Sequence, residues 1–147
     1  MRRPAGFTLV EMMVVLFILS LLAALAAPSF SRTIGSARLR ASAAEVRGTL
    51  ARARSLAVAG AMERSVVFDL EKGEYGLDNE ATRRGFPEAI RLSGVRVAGE
   101  RVERGDAIVR FFPDGSAEEA EVSVTFEDGG GLRVMVEPLT GIAEAGI

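Results

Sequence analysis

Residues 6–28, GFTLVEMMVVLFILSLLAALAAP, decide how the rest of the chain is read. From Phe7 to Ala27 the run is apolar except for Thr8, Glu11 and Ser20. Twenty-one residues at a helical rise of about 1.5 Å reach roughly 31 Å, enough to cross the hydrocarbon core of a bilayer. Arg2 and Arg3 precede the run, so the positive-inside rule places the short N-terminus in the cytoplasm and everything after Pro28 outside. A secretory signal peptide is the competing reading, but its apolar region is usually about 7–15 residues long. A plain anchor helix is another, and it leaves Glu11 unexplained. A carboxylate at the centre of a membrane helix costs about 2.5–3.5 kcal/mol on insertion scales, less near a helix end, so an acid there is a functional residue in search of a cation.

Working outward, Gly6-Phe7-Thr8-Leu9-Val10-Glu11 followed by a long apolar run resembles the class III signal of type IV pilins and type II secretion pseudopilins. The resemblance implies a leader at 1–6 and cleavage between Gly6 and Phe7 by a prepilin peptidase. It further implies N-methylation of Phe7, and Glu11 as the fifth mature residue, pairing with the terminal amine of a neighbouring subunit during filament assembly. An ammonium and a carboxylate are each costly in lipid and offset one another when brought together. Pro28 matches the position where pilin helices bend, and a proline there removes one intrahelical hydrogen bond.

Composition narrows the chemistry. The 147 residues contain no Cys and no His. That removes thiol nucleophiles, disulfides, His-containing metal sites and Ser–His or Cys–His catalysis, so the chain reads as a non-enzyme. The net charge of −2 conceals an asymmetry. Residues 1–64 carry nine Arg against three Glu, and residues 65–147 carry nine Lys and Arg against seventeen acids. The chain therefore reads as a basic N-terminal part and an acidic C-terminal part.

Residues 29–62 lack proline and are rich in Ala and Arg, which favours a second helical stretch. Leu39, Ala43, Val46, Leu50, Ala53 and Ala57 recur at alternating spacings of four and three and form one narrow stripe. Arg40, Arg47 and Arg54 lie beside it, with Arg38 and Arg52 farther round. These arginines suit a nucleic-acid or lipid-headgroup face, or a solvated flank whose stems cover apolar surface, and the flank is the preferred reading. A heptad could also signal a coiled coil. The small side chains favour packing on a sheet or on neighbouring stalks.

After Arg64 the pattern alternates. Residues 65–70 and 74–77 flank Glu71-Lys72-Gly73 as a hairpin, and 78–87 reads as a polar loop. Residues 89–92 and 95–98 read as separate short strands around Ser93-Gly94. Residues 107–112 form a strand stopped by Pro113-Asp114-Gly115-Ser116. Residues 121–127 and 132–136 pair across Asp128-Gly129-Gly130-Gly131. The expected architecture is α+β: a leader at 1–6, a transmembrane and assembly helix at 7–28, a stalk helix at 29–62, and a β-rich head at 63–147. About six or seven antiparallel strands would form a sheet whose apolar face the 39–57 stripe covers.

Within the head, Val67-Phe68-Asp69-Leu70, Tyr75-Gly76-Leu77-Asp78, Phe111-Phe112-Pro113-Asp114-Gly115-Ser116 and Leu139-Thr140-Gly141 are similar, in their order, to the minor pseudopilin group called GspH/FimT. That resemblance implies a low-copy structural subunit of a type II secretion pseudopilus. It would sit in the inner membrane with a periplasmic head and be extracted into a short periplasmic filament. Its partners would be the other pseudopilins, the prepilin peptidase, and secreted substrate or the outer-membrane secretin. The alternative is a FimT-like minor pilin of a type IV pilus or competence system that binds DNA through basic residues near the C-terminus. Here 141–147 holds no Lys or Arg and Ile142 follows the Thr-Gly pair, which disfavours DNA. No cofactor is expected. Asp114 with Glu118 and Glu119, or Glu127 with Asp128, could be imagined around calcium, but no EF-hand spacing is present. The glycines after Asp128 make no phosphate cradle.

Overall fold

A computed structural model describes residues 8–126 and 129–146, with the side chains of 24–34 set aside. One helix, α1, runs Leu9–Gly60. The chain divides into two compact units, Met1–Gly35 and Ser36–Ile147. The bend expected at Pro28 falls among the residues of α1 whose side chains are set aside.

In the second unit α1 is followed by nine strands. They are β1 (Arg64–Asp69), β2 (Glu74–Leu77), β3 (Arg84–Gly85), β4 (Ile90–Val97), β5 (Glu100–Val102), β6 (Asp106–Phe111), β7 (Ala120–Phe126), β8 (Gly131–Val136) and β9 (Ala143–Gly146). They make two antiparallel sheets rather than one, in the orders β3-β2-β1-β6 and β5-β4-β7-β8-β9. The split follows from β1: β2 pairs along one edge and β6 along the other, from Arg64↔Phe111 to Asp69↔Asp106. With both edges of β1 occupied, β4 pairs with β7 instead.

The helix ends in a Schellman motif. Met62 donates its N–H to the Ala57 carbonyl (3.2 Å), Ala61 donates to Val58 (3.4 Å), and Ala61 takes φ 47°. All six stripe residues from Leu39 to Ala57 are buried. They share one core with Val66, Phe68, Tyr75, Val109 and Phe111 of the first sheet and Val95, Val122, Val124, Val134 and Val136 of the second. Tyr75 lies between Phe68 (centroids 5.8 Å apart) and Phe86 (5.1 Å), and burial pushes its phenol up to about 12.

The strand map differs from the expected one in four places. The expected strands 89–92 and 95–98 merge into one, β4 at Ile90–Val97, because β7 pairs along its whole length and Ser93 is accommodated as a bulge; Ala89 and Ala98 lie just outside it. The Ser93 hydroxyl donates to the Ser123 carbonyl at 3.1 Å and fastens that bulge. Short β3 lies in the expected polar loop, where its two residues pair with Glu74 and Tyr75. β5 follows a two-residue turn in which Ala98 (φ 49°) and Gly99 (φ 85°) both take positive φ. β9 occupies the tail and pairs with β8 from Val136↔Ala143 to Arg133↔Gly146.

Candidate processing and assembly segment

The start of α1 is locally encoded. Thr8 is the N-cap: its Oγ1 accepts the Glu11 N–H at 3.2 Å, and its carbonyl accepts the Met12 N–H at 3.2 Å. Thr8-x-x-Glu11 is therefore a capping-box sequence, a role the assembly reading of Glu11 did not anticipate. The positive end of the helix dipole favours a carboxylate in the first turn by about 0.3–1 kcal/mol. That gain is smaller than the about 2.5–3.5 kcal/mol that a carboxylate costs at the centre of a membrane helix, less at its end. No cation pairs with Glu11 among the described residues. Gly6 and Phe7, the expected processing residues, lie outside the described residues.

From Met12 to Leu22 the helix has no polar face. Every large apolar side chain from Leu9 to Leu22 is exposed, including Val10, Leu16 and Phe17 at 67%, 65% and 68%. Ser20 donates to the Phe17 carbonyl at 2.7 Å, so its hydroxyl is satisfied within the helix. A helix apolar on every side is buried in a large core or in a membrane. Among the described residues no helix is long and apolar enough to cross a membrane. The described side chains of this stretch stop at Ala23, about 22 Å from Thr8 at the helical rise. The expected span continues through 27, into side chains outside the described residues.

The motif residues of the head build its frame. Arg54, expected on a solvated flank, is half-buried; its Nε donates to the carbonyls of Gly115 (3.2 Å) and Thr140 (2.6 Å). It thereby ties the Pro113-Asp114-Gly115-Ser116 turn to the Leu139-Thr140-Gly141 turn. The two turns approach so closely that a Cβ at Gly141 would sit 2.5 Å from the Gly115 carbonyl oxygen. Arg38, Arg40 and Arg47 are exposed, and Arg52 pairs with Glu80 at 2.8 Å.

The acids weighed for calcium have other partners. The Ser116 hydroxyl and amide both donate to Asp114, at 2.6 and 2.9 Å, and hold its carboxyl below the usual range. Glu118 pairs with Arg110 at 2.9 Å and also accepts its amide N–H, while Glu119 is exposed. Glu127 and Asp128 lie outside the described residues. Among the described residues no three acidic side chains gather as metal ligands. Glu137 accepts both the hydroxyl and the amide of Thr140 at 2.7 Å, which lowers its carboxyl in the same way. Asp69 is held low chiefly by the Lys72 amide at 2.9 Å as it caps the β1–β2 turn.

Residues 1–27 match the family model described as the prokaryotic N-terminal methylation motif. No curated protein and no solved structure matched the chain. The matched segment is a prepilin-type signal. It supports processing by a prepilin peptidase, membrane anchoring, and assembly with other pilin-like subunits.

Proposed function

We propose that the chain is a minor pseudopilin of the GspH/FimT kind, a structural subunit of a type II secretion pseudopilus with no catalytic activity. One observation carries the reading: Glu11, the one acid in an otherwise apolar helix face, lies five residues past Gly6 in the matched methylation motif and lacks a cation among the described residues. Cleavage after Gly6 creates an α-amine at Phe7, and the same amine on an adjacent subunit supplies the missing charge. Helix–helix packing in lipid and then in the filament covers the apolar surface from Leu9 to Leu22. The subunit sits in the inner membrane with its head in the periplasm until assembly extracts it, and the head meets neighbouring pseudopilins, secreted protein or the secretin. The DNA-binding alternative draws less support, because the Thr140-Gly141 turn is followed by Ile142 and the tail carries no basic residue.

N-terminal sequencing from cells with active prepilin peptidase tests the processing step, and methyl-phenylalanine at Phe7 is the expected product. A chain beginning at Met1 overturns the proposal. Glu11→Ala is expected to be cleaved normally and to be lost from filaments; normal incorporation removes the charge pairing from the mechanism. Secretion that is unimpaired without the chain, together with salt-dependent DNA binding by the protein, moves it to the competence alternative.

A further inference from the structure

The two sheets have four edges, and three are protected in ways that sheet edges usually are. β3 has only two residues, and β5 is three residues long with Glu100 and Arg101 along it. Along β6, Glu118 donates its N–H to the Arg110 carbonyl, its carboxylate accepts the Arg110 N–H, and Ala117 bridges Phe111. The fourth edge is β9, Ala143-Glu144-Ala145-Gly146, four residues without proline, lysine or bulge and with Glu144 as its single charge. The Glu137 N–H donates to the Ile142 carbonyl at 3.0 Å, which sets the phase of the β8–β9 ladder. In that phase Glu144 and Gly146 turn their amides and carbonyls toward β8, and Ala143 and Ala145 turn theirs away. Among the described residues nothing pairs with those outward groups.

Beside this edge runs a groove of about 410 Å³, walled by Gly141, Ile142 and Ala143 on one side and by Ala44, Arg47, Gly48 and Ala51 of α1 on the other. The helix wall is shallow: a Cβ at Gly48 would meet nothing within 4 Å. Arg54, which also lines the groove, is engaged with the Gly115 and Thr140 carbonyls. Arg47 is exposed and has no ion pair among the described residues. Two independent features therefore describe the occupant. A row of unpaired donors and acceptors along a strand is complemented by an extended backbone. A free guanidinium above small side chains is complemented by a carboxylate next to an apolar side chain on the same face of that strand.

We propose that the β9 groove is a β-augmentation site for an extended segment of a partner protein carrying an apolar residue and, two positions away, an Asp or Glu. The segment pairs with Ala143 and Ala145, lays its apolar side chain on Ala44, Gly48 and Ala51, and sets its carboxylate against Arg47. The inference does not depend on the pseudopilin reading.

The test uses the full chain in detergent micelles and a fluorescein-labelled nonapeptide of alternating Thr and Val, with Glu in place of the central Val. Fluorescence anisotropy is expected to show saturable binding. Binding is expected to weaken about tenfold when Lys replaces the Glu, and to vanish when the peptide is N-methylated throughout. Ala145→Pro removes an outward N–H that β8 does not use, which an edge strand tolerates. It is expected to weaken binding about tenfold with a thermal midpoint within about 2 °C of the parent. Ala51→Phe, on an exposed helix position, fills the groove and is expected to abolish binding without touching β9. Absence of binding to the parent chain overturns the proposal, as does equal binding by the N-methylated peptide or by both variants. Self-association through β9 that Ala145→Pro abolishes, without peptide binding, makes a second copy the occupant and also overturns it.

Discussion

The two described lengths of α1 share a backbone conformation and almost nothing else. Residues 9–23 carry large apolar side chains on every side and leave them exposed, whereas residues 39–57 carry mostly alanine and arginine and bury one stripe completely. High hydropathy thus coincides with exposure, and modest hydropathy with burial. A helix with Leu, Val and Phe all round finds no matching surface in a head of this size and needs an environment outside the chain. A stripe of Ala, Val and Leu joins a core shared with both sheets, and Val46, Leu50, Ala53 and Ala57 reach zero exposure there.

That contrast is open to direct attack, and the largest effect is expected at Leu50. Leu50→Ala is expected to cost about 3 kcal/mol of head stability, while Leu19→Ala stays within about 0.5 kcal/mol. Denaturant unfolding of the full chain in micelles reads both, with Tyr75, the sole tyrosine in a chain without tryptophan, as the core reporter. Equal losses at the two positions would erase the distinction between the helix lengths. Next comes the junction held by Arg54. Gly141→Ala is expected to cost about 2–3 kcal/mol, because φ is +62° and the new Cβ meets a carbonyl oxygen. The same change at Gly48, in a helix with open space beside it, is expected to stabilise by about 1 kcal/mol. If both glycine variants move unfolding in one direction, the turn–turn contact is not a constraint.

A smaller gain, about 0.5–1 kcal/mol, is expected from Ala61→Gly, which relieves the left-handed residue of the helix cap. The smallest effect is the acid limb. Asp69, Asp114 and Glu137 have folded-state values below their ordinary ones, so their contribution is complete above the unfolded values near 4 and is lost as pH falls toward the folded ones. A pH series of the unfolding midpoint is expected to decline below about pH 5 and to flatten when Asp114→Asn and Glu137→Gln are combined. An unchanged slope would show that these turn carboxylates do not contribute.

The sequence by itself determined the parts governed by local rules. The methylation motif over residues 1–27 is readable because a prepilin-type signal is a linear feature. The 39–57 stripe is readable because its spacing repeats with the helix, and the β1–β2 hairpin because Glu71-Lys72-Gly73 permits the turn. The capping role of Thr8 is present in the sequence as Thr-x-x-Glu. What only the tertiary structure decided is non-local. Ser93-Gly94 looks like a turn, and becomes a bulge because β7 pairs across it. The tail Ala-Glu-Ala-Gly has poor strand propensity, and becomes β9 because β8 offers an open ladder. Arg54 reads as one more solvated arginine, yet its partners are carbonyls 61 and 86 residues away. Backbone hydrogen bonds must be satisfied wherever the chain folds back on itself, and no window of neighbouring residues contains the partner that satisfies them.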